Sequence, residues 1–142
     1  MTQRMLLAIV AVFTTWQVLD MVIHRLILMK TYEATASLWR PMPEMKMGLM
    51  LVVGLVATVV FVALYATMVR PKSVAAGLIY GILYGQGAGF AMGFGTYCVM
   101  PIPVTLAFGW FLGTVVETAI GGLLVGWIVK PSSGEPTPAQ SA

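Results

Sequence analysis

The chain has 142 residues with 8 Lys and Arg against 5 Asp and Glu, a formal charge of +3, 59% hydrophobic residues and a mean hydropathy of +0.92. Only 9% of its residues are charged, where an ordinary soluble domain carries about 25%, so the chain cannot clothe a globule in solvated side chains and a soluble enzyme is a poor reading. One Cys and one His exclude an intrachain disulfide and a multi-histidine metal site within one chain.

A membrane crossing needs roughly 20 apolar residues, because the hydrocarbon core is about 30 Å thick and a helix rises about 1.5 Å per residue. Four stretches meet that length, at about 5–29, 47–69, 74–99 and 104–129, which makes residues 1–130 one all-α, four-span bundle. Arg4 ahead of an apolar run could open a signal peptide, but the run continues through Trp16, Gln17, Asp20 and His24 and reads as a retained span.

In the first span Gln17, Asp20 and His24 follow one another at offsets of three and four residues, which puts them on one helical face. Ionisable groups inside a bilayer are costly and usually turn to a bundle interior, so each is a functional candidate. Asp20 can accept from the His24 ring and fix its tautomer, giving a proton relay, a cation ligand or an anchor for a small polar molecule. A satisfied structural hydrogen bond is the plain alternative.

The first loop, Lys30 to Lys46, contains Thr31 to Arg40, which reads as a short helix ended by Pro41. Tyr32, Thr35, Ala36 and Trp39 fall on one side, with Glu33, Ser37 and Arg40 on the other, as suits a helix in the interface with its aromatic side down. Starting so soon after His24, it could cover the mouth of the polar face. Methionines at 42, 45, 47 and 50 are ordinary interfacial gap-fillers, with a soft copper site as the less favoured reading.

The third span carries Gly77, Gly81, Gly85, Gly89 and Gly93 at four-residue spacing, and the fourth carries Gly109, Gly113, Glu117 and Gly121, with Gly122 and Gly126 in a second series. Small residues at this spacing let helix backbones approach closely in lipid. The two spans, joined by the short Met100-Pro101-Ile102-Pro103 turn, are expected to pack ladder to ladder, with Glu117 in their interface and Gln86, central in the third span, as its partner. Asp20 and Glu117 fall at depths offset by roughly 6 Å at the helical rise, which permits one polar cavity that Tyr80, Tyr84, Thr96, Tyr97, Thr114 and Thr118 could extend. Asp20, His24 and Glu117 also form a mixed donor set that could hold a divalent metal; no cofactor is specified. No nucleophile elbow, phosphate loop or zinc-protease motif is present.

Asp20-x-x-x-His24, the run Thr31 to Pro41, Glu44-Met-Lys-Met, Gly95-Thr-Tyr and Met100-Pro-Ile-Pro together resemble a group of small four-helix bacterial integral membrane proteins without an assigned activity. The resemblance extends over nearly the whole chain to Lys130 and implies an inner-membrane protein; it carries no catalytic residue across. Four crossings put both termini on one side. Arg4, Arg70, Lys72 and Lys130 lie there, against Arg25, Lys30, Arg40 and Lys46 on the other, which tips weakly to cytoplasmic termini once Arg25 is counted within the helix. The tail 131–142 has nothing to bury and is expected to be disordered. The partners expected are the bilayer and either a second copy or a larger membrane complex, with no basic cluster long enough for nucleic acid.

Two functions are consistent with these features. One is a binding or conducting module for a proton, cation or small polar ligand at Asp20, His24 and Glu117. The other is an accessory subunit held in a larger complex by its glycine ladders and aromatic loop.

Overall fold

The computed structural model describes residues 3–129, so Lys130 and the expected tail lie outside the described residues. The described chain is helical throughout its ordered elements and contains no strand. Helix α1 (Gln3–Val22) runs into a π-helical turn (Ile23–Ile27), followed by α2 (Met29–Ala34), two short 3-10 turns (Ala36–Leu38 and Met42–Glu44), α3 (Met47–Met68), α4 (Val74–Val99) and α5 (Val104–Ile128). Four helices, Gln3–Ile27, α3, α4 and α5, are long and apolar enough to cross a membrane, and in lipid only helices or closed barrels satisfy the backbone internally. The chain is a small multi-pass membrane protein of all-α architecture.

The boundaries follow from local chemistry. Ser73 accepts from the Ala76 backbone N–H at 3.0 Å and caps α4. Pro103 is extended and hands the chain to α5 where its missing N–H costs nothing. The first-loop helix is shorter than the expected Thr31–Arg40. It stops at Ala34 because Thr35 leaves helical geometry, its hydroxyl turned back onto the Thr31 and Tyr32 carbonyls at 2.8 and 3.3 Å.

Helices α4 and α5 form the closest pair. A Cβ added at Gly77, Gly81 or Gly93 would collide with the backbone oxygens of Gly122, Thr118 and Ala107, and one at Gly85 with the Thr118 hydroxyl. The surface that α5 offers in return is not the expected series. Gly122 and Gly126 meet α4, at the Gly77 carbonyl and the Ser73 carbonyl. Gly109, Gly113 and Gly121 turn instead to the first span, beneath Leu28, Ile23 and Trp16. Both series consist of small residues, so spacing alone did not distinguish them; the bulk of Trp16, Ile23 and Leu28 needs the hollow that the first series leaves.

Two apolar clusters close the bundle. Toward the termini Ala8, Ile9 and Val12 of α1, Phe61, Val62 and Tyr65 of α3, and Val125 and Val129 are buried together, with Trp16, Tyr80 and Tyr84 packed on them. Toward the first loop Leu28, Ile102, Leu106 and Ala107 are buried with Ile23, Tyr32, Leu38, Trp39 and Trp110 around them. The polar residues of the first and fourth spans lie between these clusters.

Candidate functional site

Asp20, Ile23, His24, Met92, Trp110, Gly113, Thr114 and Glu117 line a cavity of about 150 Å³. At about 30 Å³ per liquid water, it holds around five waters or a small ion. Drug-sized ligand sites start at about 300 Å³, so this is a small site.

Each wall has a cause in the chain. Gly113 is what admits Ile23: a Cβ there would stand 3.2 Å from the Ile23 side chain. Glu117 sits one turn further along the same face of α5, so it turns toward α1 and not into the α4 interface. Trp16 locks that orientation by donating its indole N–H to the Glu117 backbone carbonyl at 2.7 Å. Among the described residues, no hydrogen-bond donor reaches the buried Glu117 Oε1. The Asp20 carboxyl lines the same cavity as the Glu117 carboxyl. A cavity flanked by two acids with an unpartnered buried oxygen favours a proton or a cation over an anion.

His24 sits in the π-helical turn, a local widening of the helix that is frequent at functional sites. Its Nε2 is 3.5 Å from Asp20 Oδ1, at the long edge of an ion pair, with the two side chains 36% and 47% exposed. Its Nδ1 is 2.7 Å from the Tyr32 hydroxyl. That hydroxyl also accepts the Trp110 indole N–H at 2.6 Å. Tyr32 is thereby tied to α1 and α5 together, and its ring packs edge-on against Trp39, which packs edge-on against Trp110. Trp39 in turn donates to the Thr35 hydroxyl at 2.9 Å. Burial pushes the Tyr32 hydroxyl above its ordinary value of 10.0; the Trp110 hydrogen bond pulls it back and the Asp20 charge pushes it up.

The sequence-derived site residues divide. Asp20, His24 and Glu117 share the cavity, while Gln17 and Gln86 are not among the residues that line it. Gln17 lies about 60° around α1 from Asp20 at 3.6 residues per turn, and its amide faces Gly54 of α3, 3.2 Å from where a Cβ would stand. Gln86, one residue past Gly85, is turned about 100° away from the glycine face and is exposed on the outside of α4. Met92, seven residues past Gly85, returns to that face and reaches the cavity. Of the interfacial residues, Tyr32 and Trp39 pack inward against the loop-side cluster, while Arg40 is exposed.

Sequence reasoning missed Trp110. It stands seven residues before Glu117, two turns along one face, and that spacing was the available signal. Among the described residues, no three His, Cys, Asp or Glu side chains are grouped closely enough to hold a metal ion, so Asp20, His24 and Glu117 do not form the suggested three-ligand set.

No protein-family model matches the chain, and neither curated proteins nor solved structures gave a match.

Proposed function

We propose that this small membrane protein binds a proton within its bundle, at the Asp20 and Glu117 carboxyl pair. The observation that carries the reading is the buried, unpartnered Glu117 Oε1 beside a cavity, the size of a few waters, that a second carboxyl also lines. Two like charges this close in a low-dielectric interior repel strongly, and one proton shared between them removes the repulsion and supplies the missing donor. A small monovalent cation held by the same oxygens is the nearest competing occupant.

The test is infrared difference spectroscopy of the purified protein through a pH titration, following the carbonyl stretch of protonated carboxyl groups. A titrating carboxyl band is expected in the wild type, lost in Glu117→Gln and altered in Asp20→Asn, with each variant still folded by circular dichroism. A band that persists unchanged in both variants overturns the proposal.

A second reading, a subunit of a larger membrane assembly or a homo-oligomer, is favoured by one observation. Gln86 is exposed on α4 at the depth of the hydrocarbon, where an amide without a partner is costly. A partner that co-purifies in mild detergent would support it, and it does not compete with proton binding at Glu117.

A further inference from the structure

Resting on the proton-binding reading of this cavity, we infer that it also takes the headgroup of an amine dissolved in the membrane, a primary alkylammonium whose tail lies in a crevice between α3 and α4.

The crevice follows from where α3 packs and where it does not. Phe61 of α3 holds Tyr80 and Tyr84 of α4, with ring centroids 4.8 and 5.2 Å apart. Ala88 and Met92 continue the row of Tyr80 and Tyr84 at four-residue spacing, so they point to the same side of α4. On α3, Gly54, Met50 and Met47 recur before Phe61 at the spacing of one helical face. Toward the loop these two rows separate. Ala88 and Met92 are exposed, and so is every residue from Met47 to Val53, which leaves no side of α3 packed there. From Tyr84 to Met92 the opening runs about 12 Å at the helical rise. Met92 also lines the cavity, and among the described residues that line it none belongs to α3. The polar cavity therefore opens sideways into an apolar crevice.

The walls set the chemistry of the occupant. The titratable groups that face the cavity are Asp20 and His24 from the first span and Glu117 from α5, with the Tyr32 hydroxyl of α2 behind His24 at 2.7 Å from Nδ1. From α4 comes only Met92. Among the described residues no donor reaches the buried Glu117 Oε1, so two acids disfavour an anion, and a cation that carries N–H groups supplies what a quaternary one cannot. A volume of about 150 Å³ admits an ammonium and its first methylenes, and the crevice takes the rest of the tail. Lipid chains are as apolar as the crevice walls, so the tail gains little affinity there. What it does is concentrate the amine in the bilayer and bring the head to the depth of the cavity. On binding, an ammonium N–H replaces the shared carboxyl proton as donor to Glu117, and that proton leaves to water. One cation enters for each proton released, so charge balances.

Dodecylamine is the probe, its binding to the protein in lipid nanodiscs measured by equilibrium dialysis against empty nanodiscs. One saturable site per chain is expected, weakened at least about tenfold in Glu117→Gln, the scale of one charge-assisted hydrogen bond. Saturation should also remove the protonated-carboxyl infrared band of Glu117. Dodecanol, with the same tail and no charge, should not saturate, and n-butylamine, with the same head and a short tail, should bind more weakly. Ala88→Phe fills the crevice from an exposed position outside the cavity lining. It should weaken dodecylamine and leave both n-butylamine binding and the Glu117 titration as in wild type. Equal dodecylamine binding by wild type and Glu117→Gln, with Glu117 still titrating, overturns the amine site and leaves the proton site standing. Wild-type dodecylamine binding by Ala88→Phe overturns the crevice. A carboxyl that does not titrate, together with no saturable dodecylamine, overturns both readings of the cavity.

Discussion

At the scale of single residues, the site is governed by which polar atoms have partners. Tyr32 is the clearest case outside the spans. Burial disfavours its phenolate, the Trp110 N–H partly offsets this, and the Asp20 charge adds to it, so the folded protein holds Tyr32 neutral above the ordinary 10.0. The sign follows: the contribution of neutral Tyr32 to holding the loop is complete below pH 10 and is lost as pH rises through the elevated folded value. Subtracting the tyrosinate absorbance of Tyr32→Phe from that of wild type cancels the other tyrosines, and the remaining step should lie above pH 10. A step at or below 10 would show a solvated hydroxyl and remove the Trp110 to Tyr32 to His24 arrangement. At this scale the sequence was informative only about cost. Asp20, His24 and Glu117 stand out because charge in an apolar span needs a reason, whereas Tyr32 and Trp110 look like ordinary interfacial aromatics and meet across 78 residues of chain.

At the scale of the helices, the decisive quantity is how closely two backbones approach. On α4 the inward glycines face backbone atoms that cannot move aside, while Gly87 and Gly95 have nothing within 4 Å of an added Cβ. Gly81→Ala must therefore push α5 away at Thr118 and should destabilise the protein by about 2 kcal/mol, as overpacking does. Gly87→Ala and Gly95→Ala should be neutral or stabilising by up to about 1 kcal/mol, the helix propensity of alanine over glycine. Reversible unfolding in mixed micelles with increasing denaturing detergent measures all three. Equal effects at Gly81 and Gly87 would mean that the ladder does not set the interface. The α4 ladder could be read from spacing because a single phase repeats without interruption from Gly77 to Gly93. The α5 surface could not, because two small-residue series interleave and only the shapes of Trp16, Ile23 and Leu28 decide between them. The π-helical turn was equally hidden: Ile23–Ile27 has no proline or glycine to announce it, and its effect is to shift His24 relative to a regular helix.

At the scale of the whole molecule, a polar cavity lies between two apolar clusters of unequal tightness. On the loop side Asp20 and His24 are partly exposed beside an aromatic cover that a single hydroxyl bridges. On the terminal side Val12, Phe61, Val62, Tyr65 and Val125 are completely buried, and the rings of Trp16, Tyr80 and Tyr84 pack on Phe61 at 4.8 to 5.2 Å. Two hydroxyls in that half are committed: Tyr80 donates to the Phe61 carbonyl at 2.8 Å and Tyr65 to the Ser73 carbonyl at 3.0 Å. On the proposed reading of Glu117 as a proton site, such a layer directs its exchange with water to the loop side. Glu117→Cys in a Cys98→Ala background, which removes the chain's one native thiol, makes this measurable with a membrane-impermeant cationic thiol reagent. The reagent should modify the protein from the loop side and leave it untouched from the terminal side. With cytoplasmic termini, the orientation we propose from Arg4, Arg70, Lys72 and Lys130, modification occurs when the reagent is added outside intact cells. Modification only in inverted vesicles would reverse the orientation while leaving the seal intact. Modification from both sides would mean that the terminal-side cluster does not close the bundle, and the protein would then be a continuous path and not a one-sided site.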